Sequence, residues 1–434
     1  MTAITEALEF VCTVKYNEVT TLYDNNGASQ IGGGSSHRRS AEGSQATGWD
    51  DLPSHLRPHK DMQGRPLGIF TKSLVAPPKR VHDFILQDQS CKLLPKHRVC
   101  NCLKKRIDKN KNRTVKYNVD RKKSHWSNVQ RCASLWVCPV CAKPITEGRR
   151  TELSIGLERW KKEFLGGCLL LTLTFSHSID MPLSVTQLGL RKAYQYFVEH
   201  RQVKKIFEFL GVQHKIKGQE ITWGENGWHP HNHILLFTQH AVHGFASYRD
   251  QLASIWMDSC IKAGLRSPSM KHGLDIQDGS QADRYVAKWG LPEEMSKGHM
   301  KKGKNGGYTP FDLLELSIED KPLYGGKLPS KLFQEYAIVM KGQRQLVWGR
   351  GLKTLLRVTE KTDEEHAQET EKNAVEIASV ANYAFSLLTI YQKRHVYLEC
   401  ITNDFENNTS TANALLDELH SQYLTKLNEK GGYT

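Results

Sequence analysis

The chain has 434 residues, enough for two or three domains. Lys and Arg outnumber Asp and Glu by 60 to 46, so the formal net charge is +14 and the pI is about 9.2. This charge favours a polyanionic partner, most simply nucleic acid. No apolar run approaches the ~20 residues needed to span a bilayer, and no secretory signal is recognisable. We therefore expect a soluble, cytoplasmic protein with no membrane partner, most of whose ten cysteines stay reduced unless they bind metal.

Two different compositions precede the centre of the chain. Residues 1–85 include a stretch rich in Gly and Ser, from Gly27 to Asp50, and are predicted to be a flexible, low-complexity region. Residues 90–145 are predicted to form a basic, Cys-rich module, with fourteen Lys or Arg between Lys92 and Arg131. Because each cation that neutralises a phosphate releases a counterion, this segment predicts salt-sensitive DNA binding. The candidate DNA-contacting cations are Lys104, Lys105, Arg106, Lys122 and Lys123.

The cysteines of this module have the spacing of a zinc site. Cys138-Pro139-Val140-Cys141 can present two thiolates to one tetrahedral Zn²⁺, and an upstream pair must complete the site. We take Cys102 and Cys132 as that pair, with Cys100 as the alternative to Cys102. A redox CxxC motif would not need the other cysteines, and inert buried thiols are the remaining interpretation.

Residues 146–355 are predicted to be a catalytic domain of mixed helices and strands. The apolar spacing predicts a helix over residues 146–163, and a glycine-bounded apolar run predicts a buried strand over 168–175. Further helices are predicted at 185–209, 246–263, 281–290, 310–316 and 332–339.

Three histidines at alternate positions lie at the centre of this domain. On a β-strand His229, His231 and His233 share one face, where imidazoles can preform a metal site. If the preceding Gly224–Gly227 segment is a hairpin loop, Glu220 lies opposite His231 on the same face. Both Glu220 and His229 are therefore candidates for the third ligand.

A predicted short helix downstream carries a second constellation. Tyr285 and Lys288 are three residues apart and share a helical face, with Asp283 nearby. Beside a metal-binding strand, such a pair can supply a nucleophile and a cation that holds a phosphate. Packing or surface decoration is the bland alternative for the same two residues.

Residues 356–434 are predicted to form an acidic, helical accessory tail. Apolar residues between Ala412 and Leu427 have amphipathic spacing, which suits self-association or contact with a partner. Candidate partners are a second copy of the chain, giving a homodimer, and a host helicase or polymerase.

The ordered motifs resemble those of rolling-circle plasmid replication initiators of the HUH endonuclease superfamily. The matching segments are a Leu-Thr-Leu-Thr strand, a Gly-Glu-Asn-Gly-Trp-His-Pro-His-Asn-His run and a Tyr-Val-Ala-Lys-Trp run, at 171–174, 224–233 and 285–289. The cysteine cluster ending at Cys141 and the run from Gly342 to Trp348 also match, so the resemblance covers roughly residues 98–355.

The resemblance implies an α+β fold, with a central antiparallel β-sheet flanked by helices. It implies that His231 and His233 bind Mg²⁺ or Mn²⁺, and that Tyr285, with Lys288, cleaves single-stranded origin DNA to leave a 5′-phosphotyrosine and a free 3′-OH. Aromatic stacking of the DNA bases is assigned to a tryptophan such as Trp223, Trp228 or Trp289. Gln281 replaces the glutamate that some members use for termination, which leaves the termination step open.

Two other functions compete with replication initiation. The chain could be an HUH transposase or relaxase, although Tyr285 has no second tyrosine beside it. It could also be a non-enzymatic, zinc-dependent DNA-binding protein in which the histidines are structural.

Overall fold

A computed structural model describes residues 79–242, 244–278, 307–368 and 373–430. The chain divides into two compact units. The large unit comprises Ile85–Cys100 and Arg131–Glu369, and the small unit comprises Met1–Phe84, Asn101–Gln130 and Thr370–Thr434. This grouping differs from the consecutive domains expected from composition, because a strand of the acidic tail pairs with a strand of the basic segment. The predicted helix at 281–290 and most of the predicted flexible region lie outside the described residues.

Both units mix helices and strands, as the α+β prediction requires. In chain order the strands are β1 (Arg113–Asn118), β2 (Lys123–Ser127), β3 (Gly167–Leu173), β4 (Val212–Gly224), β5 (Gly227–Thr238), β6 (Leu274–Asp278), β7 (Leu346–Trp348) and β8 (Ala374–Val380). The helices are α1 (Lys79–Leu93), α2 (Pro139–Glu163), α3 (Leu183–Glu199), α4 (Arg201–Phe209), α5 (Arg249–Lys262), α6 (Pro310–Leu316), α7 (Pro329–Val339), α8 (Leu352–Leu355), α9 (Asp363–Gln368), α10 (Asn382–Ile390), α11 (Arg394–Asn407) and α12 (Thr411–Lys430). Among the described helices, none combines the length and the apolar character that crossing a membrane requires.

The small unit is a three-stranded antiparallel sheet with helices α10, α11 and α12. The strand order is β2-β1-β8, so the tail contributes an edge strand as well as helices. Buried Trp126 of β2 stacks on Tyr397 of α11 and meets the ring of Phe385 edge-on, with centroids 5.6 and 5.0 Å apart. These aromatic contacts hold the helices against one face of the sheet.

The large unit is built on a five-stranded antiparallel sheet of order β6-β3-β5-β4-β7. Because side chains alternate along β5, Ile234 and Leu236 pack with helices α3, α4 and α5, whereas Leu235 and Phe237 pack with the long helix α2. The histidines at odd positions of β5 therefore lie on the α2 side of the sheet. β5 is the central strand, which gives this site a rigid support.

Two predicted helices show the largest differences in extent from their observed counterparts. The first begins at Pro139, directly after Cys138, rather than at residue 146. The predicted helix at 185–209 is two helices that meet at His200, whose imidazole accepts a hydrogen bond from the Gln202 backbone N–H. The helix at 310–316 has the predicted bounds and begins with a capping box formed by Thr309 and Asp312.

A buried ionic cluster joins α2 to α8 and α9 within the large unit. The Glu152 carboxylate accepts hydrogen bonds from His366 Nε2 at 2.9 Å and Lys353 Nζ at 3.0 Å, and Arg149 lies at 3.4 Å. Arg149 also binds Asp363 at 2.8 Å. Burial alone would raise the pKa of Glu152. The three partners outweigh burial and lower the pKa to about 2. A carboxylate in this position stabilises the fold only while it is ionised.

We expect Glu152→Gln to flatten the acid dependence of stability. The folded-state pKa of Glu152 is depressed, so its contribution is complete above pH 4.5 and is lost as the pH falls towards 2. The variant should lose about 2 kcal/mol of unfolding free energy at pH 7 and progressively less below pH 4.5. Urea unfolding at pH 7, 4 and 3 measures this difference. Glu158→Gln, at an exposed position of the same helix, is the matched control, and an equal loss at every pH would contradict the assignment.

Candidate metal centre

The central hairpin of the large unit is formed by β4 and β5. Gly224 pairs with Gly227, Trp223 with Trp228 and Glu220 with His231, which is the predicted register. Gly227 has a φ of +84°, and a Cβ at this position would lie 2.7 Å from the Ile179 Cα. Only glycine meets both conditions, so the turn that sets the register depends on it.

The hairpin brings together three groups that could hold a metal ion. One donor atom from each of Glu220, His231 and His233 lies within 4.8 Å of the other two. Glu220 Oε2 is 3.0 Å from His231 Nε2 and 3.3 Å from His233 Nε2. Two imidazoles and a carboxylate are a common donor set for divalent metals, so these residues fit a metal ion.

The protonation states of this group also suit metal binding. Burial alone would raise the pKa of Glu220. Hydrogen bonds from His231 and His233 outweigh burial and lower the pKa to about 2. Burial is the main reason that the pKa of His233 is lowered. At neutral pH the carboxylate is therefore charged and His233 is neutral, the forms in which these side chains bind metals.

Thr172 orients one of the histidines. β3 pairs with β5 so that Thr172 lies opposite His233, and the Thr172 hydroxyl is 3.0 Å from His233 Nδ1. This hydrogen bond holds the ring with Nε2 directed at Glu220, in the manner of the outer-shell partners of metal-binding histidines. The role of Thr172 was not predicted. Its signal in the sequence is a polar residue between Leu171 and Leu173, on an otherwise apolar strand.

His229 shares the strand face but has different neighbours. Its ring stacks on His177, with centroids 4.7 Å apart, and lies 5.0 Å from the ring of His231. Burial lowers the pKa of His229 to about 3, with smaller contributions from His231 and His177. The three-residue donor group contains Glu220 in place of His229. No sequence motif pointed to His177, which follows β3 and lies 2.7 Å from the Asn226 carbonyl through Nδ1.

The predicted catalytic residues of the short helix lie outside the described residues. They are Tyr285, Lys288 and Asp283, and Gln281 lies outside the described residues as well.

Trp228 occupies a core position, which corrects its assignment to base stacking. Trp223 and Trp228 are only 1% and 2% exposed and lie on the opposite face of the hairpin from the histidines. The Trp228 indole N–H donates to Glu335 at 3.0 Å, and the ring stacks on Tyr336 with centroids 6.2 Å apart. Neither ring is accessible to a DNA base in this structure.

A second group of donors consists of thiols. Cys102, Cys132, Cys138 and Cys141 are buried, and their sulfur atoms lie within 4.8 Å of one another. A four-thiol group of this kind could bind Zn²⁺.

Cys100 has a different partner. It forms a disulfide with Cys91, although cysteines outside a metal site were expected to stay reduced. The last turn of α1 and a 3₁₀ turn at Arg98–Asn101 bring their Cα atoms to 4.8 Å. The alternative in which Cys100 replaces Cys102 in the thiol group is therefore not the arrangement observed.

The small unit carries the predicted DNA-contacting cations. Lys105, Lys122 and Lys123 are exposed, whereas Lys104 and Arg106 are partly buried. The Asn128 amide supports the loop at 108–112, which follows Arg106. Its oxygen accepts from the Asp108 backbone N–H at 2.8 Å, and its nitrogen donates to three carbonyls of this loop at 3.0 Å.

Arg113, in the same basic segment, has a structural position. Its guanidinium donates to the Lys104 carbonyl at 2.7 and 3.0 Å and to Asn382 at 2.9 Å, and lies 4.0 Å from the centre of the Phe385 ring. We therefore assign Arg113 to holding the small unit together.

Comparison with known proteins gives one curated relative. The chain is 26% identical over 292 residues to a protein named "Protein rep" from Streptomyces lividans, which covers 52% of this chain and 64% of the relative. The chain thus spans less than two thirds of the length of that relative. No protein-family model matches the chain, and no solved structure matches it.

Proposed function

We propose that this chain initiates plasmid rolling-circle replication by nicking one strand of an origin through Tyr285. The observation that carries the proposal is the hairpin geometry, in which Glu220, His231 and His233 form one donor group on a central strand. The similarity to a protein named "Protein rep" supports a replication role. The HUH superfamily assignment rests on the resemblance of the motifs and is part of the proposal.

In this proposal the donor group holds Mg²⁺ or Mn²⁺. A divalent ion there would act as a Lewis acid, neutralising charge on the non-bridging oxygens of the scissile phosphate. Glu220, His231 and His233 would hold this ion. Thr172 fixes the ring of His233 through its 3.0 Å hydrogen bond. His229 and His177 stack beside this group and pack around it.

Tyr285 is assigned the nucleophilic role. Its phenolic oxygen attacks the phosphorus and loses its proton, and the bond from phosphorus to the 3′-oxygen breaks. The products are a 5′-phosphotyrosine and a 3′-hydroxyl, whose oxygen takes up a proton. The number of phosphodiester bonds is conserved, so the step needs no nucleotide cofactor. Lys288 is assigned to holding the phosphate, and Asp283 is a further catalytic candidate.

The remaining assigned features serve DNA binding and stability. The exposed lysines of the small unit supply salt-sensitive affinity for the origin. The thiol group binds Zn²⁺ as a structural ion. A host helicase, a polymerase and a second copy of the chain remain candidate partners of the tail helices.

A covalent adduct assay tests the proposal. A labelled origin oligonucleotide incubated with the full chain and Mn²⁺ should give a protein–DNA adduct on a denaturing gel. Tyr285→Phe should abolish this adduct and leave the affinity for the oligonucleotide within about 2-fold of the unmodified chain, because only the nucleophilic oxygen is removed.

Two outcomes would contradict the assignment. Metal-dependent cleavage without an adduct would indicate a hydrolytic nuclease. Tight binding to a verified origin, with metal bound but with no cleavage, would indicate a DNA-binding protein whose histidines are not catalytic.

A further inference from the structure

A cavity of the large unit lies beside the edge strand β7. It has a volume of about 950 Å³ and is lined by residues from the segments 96–98, 133–137, 340–354 and 360–364, together with Arg149 and Ala337. Eight lining residues are Lys or Arg, whereas three are Asp or Glu. We call this cavity the β7 groove. Its charge excess is the first sign of an anionic ligand.

Pairing of charges leaves a defined set of cations on the β7 groove. Arg149 and Lys353 are bound by Glu152 and Asp363, and Arg98 lies 3.3 Å from Glu364. The remaining exposed cations that have no carboxylate within ion-pair distance among the described residues are Lys96, Lys341, Arg344 and Arg350. The pKa of His97 in the same lining is lowered, mainly by burial and then by Arg98 and Lys341. The two smaller causes show that Arg98 and Lys341 lie close enough to act on His97.

The walls of the β7 groove are tied together. The Trp136 indole N–H donates to the Gln343 carbonyl at 2.9 Å, which joins the 133–137 segment to the turn before β7. Arg98 donates to the Ala133 carbonyl at 3.3 Å, which joins the segments 96–98 and 133–137. The groove is therefore defined by hydrogen bonds between its segments, and its cations project from a fixed frame.

The position of the β7 groove relates it to the metal centre. Leu346 lines the groove and pairs with Gly218, and Gly218 pairs on its other side with His233. Neighbouring strands lie about 4.8 Å apart, so the groove begins roughly 10 Å from the donor group. Both features belong to the same sheet of the large unit.

We infer that the β7 groove binds the sugar–phosphate backbone of single-stranded DNA next to the nicking site. This inference rests on the proposed function, and it adds a strand-binding path that the histidine motif does not contain. A row of cations with the partly exposed ring of Trp136 is typical of surfaces that bind single strands.

Binding of a fluorescent dT15 oligonucleotide to the full chain tests the inference. This probe lacks an origin, so binding is measured apart from nicking. The triple variant Lys341→Ala/Arg344→Ala/Arg350→Ala should weaken binding at least about 10-fold at 0.1 M NaCl, because three phosphate contacts are lost. The slope of log K against log salt should become shallower by about 2, because each lost phosphate contact accounts for roughly 0.7 of the slope.

The matched control removes three exposed charges elsewhere on the large unit, in Lys161→Ala/Arg201→Ala/Lys204→Ala. Its affinity for dT15 should stay within about 2-fold of the unmodified chain. An equal loss in the control, or weakening for a 15-base-pair duplex but not for dT15, would overturn the inference. Thermal unfolding of both triple variants shows whether either loss comes from misfolding.

The two proposals fail in different ways. If the groove variant loses dT15 affinity while no adduct forms on any origin, the groove stands and the nicking proposal falls. If the groove variant binds dT15 normally and still forms the adduct, the nicking proposal stands and the groove assignment falls.

Discussion

Replacement of His231 by alanine is expected to remove divalent-metal binding at the hairpin and to reduce adduct formation by about 1000-fold. His231 Nε2 lies 3.0 Å from Glu220 Oε2, so the change removes one of three donors and a hydrogen bond that keeps Glu220 ionised. In the proposed mechanism, loss of the bound Lewis acid removes several kcal/mol of transition-state stabilisation. A 1000-fold decrease in rate corresponds to about 4 kcal/mol. Electron paramagnetic resonance of Mn²⁺ measures the binding, and the adduct gel measures the reaction.

His229→Ala is the matched control for this prediction. His229 shares the strand and the face but lies outside the three-residue donor group. We expect it to keep Mn²⁺ binding and to reduce adduct formation no more than about 10-fold, through loss of its packing against His177. If His229→Ala released the metal while His231→Ala retained it, the choice of ligands would be wrong.

The geometry of the hairpin was predictable because it is local. The turn residues Gly224 and Gly227 fix the register, and the register alone places Glu220 opposite His231. Strand alternation then puts His233 on the same face. These steps needed no knowledge of the rest of the fold.

Features that depend on distant pairing were not predictable in this way. Thr172 reaches His233 only because β3 pairs with β5 in one particular register. The sheet of the small unit combines β1 with β8, which lie far apart in the chain. Composition separated these two segments into a basic module and an acidic tail, since charge says nothing about which strands pair.

The position of Trp228 depends on both strand alternation and a distant contact. The rule that aligns the histidines also directs Trp228 to the other face of β5. What covers that face is helix α7, through Tyr336 and Glu335, and that contact cannot be read from the hairpin sequence. The sequence therefore predicts a DNA contact for an aromatic residue, next to the histidine motif, that belongs to the core.

The zinc assignment predicts that Cys141→Ser yields a chain without bound zinc and with a strongly lowered unfolding temperature. Structural Zn²⁺ contributes about 10–16 kcal/mol of apparent binding free energy in small zinc modules, and this energy is available only to the folded state. The thiols of Cys132 and Cys141 lie 3.7 Å apart, and Gln87 donates to the sulfur of Cys138 at 3.4 Å. Zinc content by mass spectrometry and thermal unfolding measure the two effects.

Cys260→Ser separates loss of zinc from loss of a buried thiol. Cys260 is also buried, and burial raises its pKa to about 12, so it is a neutral thiol within the apolar core. This control should be moderately destabilised but should keep about one zinc ion per chain. Thiol modification of the unmodified chain, with a colorimetric zinc indicator, gives the same count without any variant. Cys141→Ser that retained its zinc would contradict the assignment.

The position of these cysteines explains why the effect should extend beyond the thiol group. Cys138 is the N-cap of α2, and its carbonyl accepts from the Ala142 backbone N–H at 2.9 Å. The same helix packs Leu153 and Trp160 against the central sheet. Loss of zinc would release the first turn of a helix that supports the α2 face, where the donor group lies. We therefore expect zinc removal to reduce Mn²⁺ binding at the hairpin as well, although the proposed nicking step does not use zinc.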